Sequence, residues 1–181
     1  MSTFDKAIGV ILTHEGGWVS NPADPGGETN FGISTLIIKR ENISNADLGL
    51  DPNTQRVPGW MKAMKVDAAK NIYKKLFWDK YGYEQFHDQL VATKIFDCSV
   101  NCGPSRAHRM AQLAANQCGQ ALSTDGIIGI HTIVGVNACS PDKWMEAMVI
   151  EMKAYYNAIA LKNPALRVFL NNWNRRAAWI G

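Results

Sequence analysis

The chain has 181 residues, 46% hydrophobic and 19% charged, which is material for one domain or two small lobes sharing a core. That composition excludes disorder, and the length removes any need for a metal or disulfide merely to hold a core. The net charge of +3, from 19 Lys and Arg against 16 Asp and Glu, suits a polyanionic surface such as nucleic acid or an acidic cell wall without choosing between them.

A first helix is predicted over about 3–15. Ser2 and Asp5 have capping-box spacing, and Phe4, Ile8, Ile11 and Leu12 form one apolar stripe. Gly16-Gly17 should end it. Its run Ala7–Leu12 is too short to span a membrane and lacks a basic leader and a cleavage site. The chain is therefore expected to be made in the cytoplasm without a classical signal peptide, with no stable membrane insertion. Residues 16–33, GGWVSNPADPGGETNFGI, have no helical period, and Pro25-Gly26-Gly27 demands a tight turn. A small hairpin or irregular lobe is expected there, with a helix resuming near 34–40.

Residues 41–60 are polar and turn-rich, read as a loop over a cleft. A third helix is predicted over about 62–78, with Met64, Ala68, Ile72 and Leu76 on one face. The next runs over 87–102 and stops at Gly103. Pro104 or Ser105 opens another through Cys118. After a turn-rich patch at 123–126, a short helix is expected over 131–138. Ser140-Pro141 starts a long one to about Leu161, burying Trp144, Met148, Met152 and Tyr155. Asn163-Pro164 ends it, and a last helix carries Val168, Phe169 and Trp173. Cys98, Cys102, Cys118 and Cys139 allow three pairings; without a CxxC or a histidine cluster they read as buried free thiols, and no metal site or cofactor is expected.

The expected architecture is mainly α: a helical body with a small irregular hairpin lobe after the first helix. The boundary of two such parts is a natural ligand cleft. The chemistry concentrates in one short segment, His14-Glu15-Gly16-Gly17, Asp24, and Gly26-Gly27-Glu28-Thr29. Partial burial of Glu15 and the negative end of its helix both favour a protonated carboxyl that can be donated. Glycosidic cleavage needs that proton on the leaving oxygen, and a carboxylate or held water across the sugar. Asp24 is the best second group, with Glu28 a rival; Thr29 could hold the water or orient Glu15. Gly26 and Gly27 would let backbone approach a sugar ring, and Trp18, Phe31 and Trp60 could stack on one or belong to the core. Asp97 and Asn101, one turn apart, could line the cleft or belong to a buried network.

Glu15-Gly16-Gly17-Trp18, Asp24-Pro25-Gly26-Gly27-Glu28-Thr29 and Gly32-Ile33 resemble the signature of the glycoside hydrolase 108 muramidases, with Trp18 in place of a more familiar tyrosine. These are lysozyme-like proteins, many of them phage endolysins or secretion-linked muramidases. Phe96-Asp97, Val100-Asn101 and Gly103 also resemble the family, as does the terminal W-x-x-R segment at Trp173. Asp125-Gly126-Ile127-Ile128-Gly129 with Thr132 resembles a region described as peptidoglycan-binding. The resemblance implies a lysozyme-like fold, with residues 1–95 catalytic and 96–181 a peptidoglycan-binding-like region packed into the same body.

It also implies cleavage of the β-1,4 bond between N-acetylmuramic acid and N-acetylglucosamine, with Glu15 as the acid. The partner would be the glycan strands of peptidoglycan, reached in the periplasm or at the wall. Release would need a membrane-permeabilising protein or secretion machinery. A monomer is expected, and no motif supports nucleic acid as a partner. A lytic transglycosylase and a non-catalytic wall binder stay open as alternatives.

Overall fold

The computed structural model describes residues 1–20 and 27–179. It is predominantly α-helical, with a short β-hairpin after the first helix, in keeping with a lysozyme-like helical fold. The chain forms two compact units, one of Ile8–Leu76 and one of Met1–Ala7 with Phe77–Gly181.

Helix α1 (Phe4–Glu15) buries Ala7, Ile8 and Ile11, as its apolar spacing requires. Ser2 does not act as the predicted cap. Its hydroxyl donates to the Tyr83 carbonyl at 3.0 Å, and its N–H reaches the Phe86 carbonyl.

In the smaller unit, strands β1 (Thr29–Asn30) and β2 (Ile33–Ser34) pair antiparallel, Thr29 opposite Ser34 and Asn30 opposite Ile33. Helix α2 (Thr35–Arg40) follows directly because the Ser34 hydroxyl accepts from the Ile37 N–H at 3.3 Å. The 41–60 loop is ordered from within. The Asn45 side-chain amide donates to the carbonyls of Pro52 and Thr54, and its oxygen accepts from Arg56. The predicted third helix is not continuous. A 3-10 turn at Trp60–Ala63 comes first, Met64 is extended, and only then does α3 (Val66–Tyr73) begin. A π-helical turn at Lys74–Trp78 and the short α4 (Asp79–Tyr81) follow.

The larger unit is built on α5 (Gln89–Cys102), α6 (Pro104–Gln117), α7 (Ile130–Asn137), α8 (Pro141–Lys162) and α9 (Leu170–Ala178). Local chemistry sets their ends. Asp88 caps α5 by accepting from the N–H groups of Leu90 and Val91, both at 2.9 Å. Gly103 turns at φ +85, and proline starts both α6 and α8. Helices α5, α6, α8 and α9 pack in sequence of contact, α5 on α6, α6 on α8 and α8 on α9.

Along α8 the buried positions step by four, through Trp144, Met148, Met152, Tyr156 and Ala160. Tyr156, not the predicted Tyr155, therefore continues the stripe. Val168 and Phe169 lie in a 3-10 turn ahead of α9 and are exposed.

Three polar networks fix this unit internally. Asp97 is fully buried and takes a two-pronged grip from Arg176 on α9, 2.8 Å from Nη2 and 3.1 Å from Nε. One turn earlier, Lys94 is 0% exposed and donates to the carbonyls of Arg176, Ala177 and Trp179 at the end of α9. Burial pushes its ammonium down to about 8, against the pull of Asp97. The third network anchors the Asp125-Gly126 turn. The Gln112 oxygen accepts from the Gly126 N–H, and its NH2 reaches Asp125, the Ile127 carbonyl and Thr132. His108 Nδ1 donates to the Gly126 carbonyl at 3.1 Å, because a carbonyl can only accept. His108 Nε2 is then left to accept from the Tyr83 hydroxyl at 2.8 Å. Burial pushes His108 down to about 4.

All four cysteines are free thiols, Cys98 and Cys139 buried and the other two partly exposed. No helix among the described residues is long and apolar enough to cross a membrane.

Candidate active site

The candidate site lies within the smaller unit. Its frame is the hairpin tip, where Phe31 and Gly32 connect β1 to β2 at φ +49 and +76. Two successive positive φ values in a two-residue connection mark the mirror-image turn that suits the twist of paired strands. Gly32 adopts this freely; Phe31, with a bulky side chain, does so under strain. Three long-range bonds hold the tip in place. The Tyr73 hydroxyl donates to the Phe31 carbonyl at 2.9 Å, and the buried Asn30 amide donates to the Met61 carbonyl at 2.8 Å. The third comes from Glu28, one of whose carboxylate oxygens accepts the Gly59 N–H. On the other side, Val19 and Thr29 exchange backbone bonds of 2.8 and 2.9 Å, adding a third extended segment to the ladder.

Glu15 is the last residue of α1, partly exposed, followed by Gly16 at φ +72. Its side chain lies directly on the hairpin tip. A Cβ added to Gly32 would sit 2.6 Å from Glu15 Oε2 and 2.7 Å from its Cγ, so no larger residue fits without moving the carboxyl. The glycine of the Gly32-Ile33 pair thus meets two demands, a positive φ and a glutamate pressed against its backbone.

Trp18 is 37% exposed, and its indole N–H reaches Glu28 Oε2 at 3.3 Å. The Lys62 ammonium sits 4.1 Å above its ring. Glu28 therefore has one oxygen on Gly59 and the other on Trp18. Burial pushes its carboxyl up, but the N–H groups of Gly59, Trp18 and Met61 and the charge of Lys62 outweigh this and hold it below its ordinary value. Such a carboxylate is a clamp between the hairpin and the 59–62 turn. Gly27, at φ +73, is crowded by Thr35: a Cβ there would lie 2.2 Å from the Thr35 hydroxyl oxygen.

The structure thus brings together Glu15, Trp18, Gly27, Thr29 and Phe31 in one unit. Asp24 and Gly26 lie outside the described residues. Asp97 and Asn101 belong to the other unit, Asp97 fully buried and Asn101 partly exposed. Asp97 is held by Arg176, and Asn101 Oδ1 accepts the Tyr156 hydroxyl at 2.9 Å. These bonds are internal ties: Asp97 is committed to Arg176 on α9, and Asn101 joins α5 to α8 through its Oδ1. Trp60 carries the Arg56 guanidinium 4.9 Å from its ring centre. Tyr73, Asn30 and Lys62 are additions that the sequence did not single out. Among the described residues no group of three or more His, Cys, Asp or Glu side chains could hold a metal.

The helical fold with a hairpin after the first helix is consistent with a lysozyme-like architecture. The chain belongs to the family described as Glycosyl hydrolase 108, whose model matches residues 8–103, and residues 106–178 match a Predicted Peptidoglycan domain. It is accordingly a hydrolytic enzyme that acts on peptidoglycan. Among solved structures it is similar to that of Brucella abortus SagA, with 24% identity and a TM-score of 0.68 over 96% of this chain and 92% of that one. Among curated proteins no sequence matches it. The family boundary at 103–106 falls beyond Leu76, where the two compact units divide.

Proposed function

We propose that the chain is an N-acetylmuramidase. It cuts the β-1,4 bond between N-acetylmuramic acid and N-acetylglucosamine in peptidoglycan, with Glu15 as general acid. The supporting observation is the seating of Glu15: a partly exposed carboxyl at a helix end, fixed against the hairpin tip inside the family-matched segment. In this reading Glu15 gives its proton to the glycosidic oxygen as the bond to the anomeric carbon breaks. Water supplies the hydroxyl to that carbon, and its remaining proton restores the acid. Asp24 is the second carboxylate, acting across the sugar, and Thr29 orients the water or the acid. Trp18 and Phe31 offer rings to the glycan, and Gly26 and Gly27 let backbone come close. The substrate lies outside the cytoplasmic membrane, so a permeabilising partner or secretion machinery belongs to the same proposal.

Glu15→Gln keeps the shape and removes the proton. Turnover of purified walls should fall by roughly two to four orders of magnitude, with the thermal midpoint unchanged. Mass analysis of the released muropeptides should show one water added per cut. A 1,6-anhydro product without that water would make the chain a lytic transglycosylase instead. Wall binding by the wild type without any cut ends would make it a binder.

A further inference from the structure

We propose that Tyr73 is a positioning residue for Glu15, acting through the hairpin tip; this rests on the reading of Glu15 as the acid. Tyr73 is the last residue of α3 and its ring is buried, at 2% exposure. Its hydroxyl spans 42 residues of sequence to donate to the Phe31 carbonyl at 2.9 Å. One residue further, a Cβ on Gly32 would lie 2.5 Å from that hydroxyl oxygen and 2.6 Å from Glu15 Oε2. The two oxygens therefore close on one face of a single backbone atom.

The chain of contact is short and stiff. A buried ring fixes the hydroxyl, and the hydroxyl fixes the carbonyl of a residue held at φ +49. The next backbone atom then serves as the floor on which the Glu15 side chain rests. The phenol donates to the Phe31 carbonyl, and through that bond the tyrosine shapes the seat of the carboxyl. The strain at Phe31 fits this use: a bulky residue is kept in a disfavoured turn because the far side of the turn is tied down. Rate depends steeply on such placement, since an error of about 1 Å in a reacting group can cost roughly a hundredfold.

Tyr73→Phe removes the tie and keeps the ring. The kcat on purified peptidoglycan should fall about tenfold, with KM within about twofold and the thermal midpoint within a few degrees. A purely structural tyrosine would instead lower the midpoint and leave kcat of the folded fraction intact. Gly32→Ala wedges a methyl against the Tyr73 hydroxyl and the Glu15 carboxyl and must shift them, so it should lower kcat as well, with a lower midpoint because its φ of +76 disfavours a side chain. It serves as the test of the seat if Tyr73→Phe does not fold. An active Glu15→Gln enzyme would bring down the acid reading and this proposal with it. An inactive Glu15→Gln beside Tyr73→Phe or Gly32→Ala at wild-type kcat would overturn the positioning role alone.

Discussion

The two compact units bury polar groups to different ends. In Phe77–Gly181 the buried polar groups are matched inside the fold: Asp97 with Arg176, Lys94 with the carbonyls closing α9, His108 and Gln112 with the Asp125-Gly126 turn. In Ile8–Leu76 the ties go largely to backbone, from Tyr73, Asn30 and Glu28, and they leave a strained turn beneath a partly exposed carboxyl. Motif residues of the first kind tie helices to one another; those of the second kind frame the turn on which the Glu15 side chain rests. Asp97 and Glu15 show the contrast within one signature, since both are acidic and only one keeps an open side.

The contrast can be broken most forcefully at Asp97. Asp97→Asn leaves the Arg176 guanidinium, 12% exposed, without its counter-ion. Breaking such a buried pair should cost roughly 3–5 kcal/mol in urea unfolding. Turnover of the remaining folded enzyme should stay near wild type. A stable variant with lost turnover would return Asp97 to the ligand side.

A somewhat smaller effect is expected from pH. His108 stays neutral in the fold down to about 4, whereas an unfolded histidine binds its proton near the ordinary 6.5. Between those values the unfolded chain holds more protons, so acid favours it. The stabilisation is complete above about 6.5 and is lost as pH falls through 4, up to roughly 3 kcal/mol by linkage. Unfolding free energies measured across pH 4–7 should show that slope, and His108→Gln should flatten it.

The smallest effect sharpens the role of the hairpin tip. Phe31→Asn supplies the residue preferred before glycine in this turn. Relief of the strained φ should stabilise the fold by about 1 kcal/mol. If the ring also meets sugar, KM should rise in the same variant; a raised melting temperature with unchanged KM would confine Phe31 to the turn.

What was legible in the sequence follows the range of the forces involved. Helix ends at Gly103-Pro104 and Ser140-Pro141 could be read, because a cap or a proline acts on its own neighbours. The hairpin after α1 and the place of Glu15 at a helix end were readable for the same reason. The break at Met64 was not: its helical spacing is sound, but the chain there is bound to Asn30, about thirty residues away. Tyr155 and Tyr156 differ by one position in a step of three or four, and only the packed neighbours decide which turns inward. Tyr73 has no signature at all; its importance arises from a hydroxyl meeting a carbonyl across the fold. Asp97 and Asn101 were recognisable as special residues, yet their partners Arg176 and Tyr156 lie 79 and 55 positions downstream.

Lys94 carries a consequence for how the chain withstands attack by peptidases. Three main-chain oxygens between Arg176 and Trp179 take the hydrogen bonds of a cation sealed from solvent. Erosion into that stretch would not merely shorten α9; it would strand a charge in oil and loosen α5 as well. The end of α9 thus works as a keystone for α5.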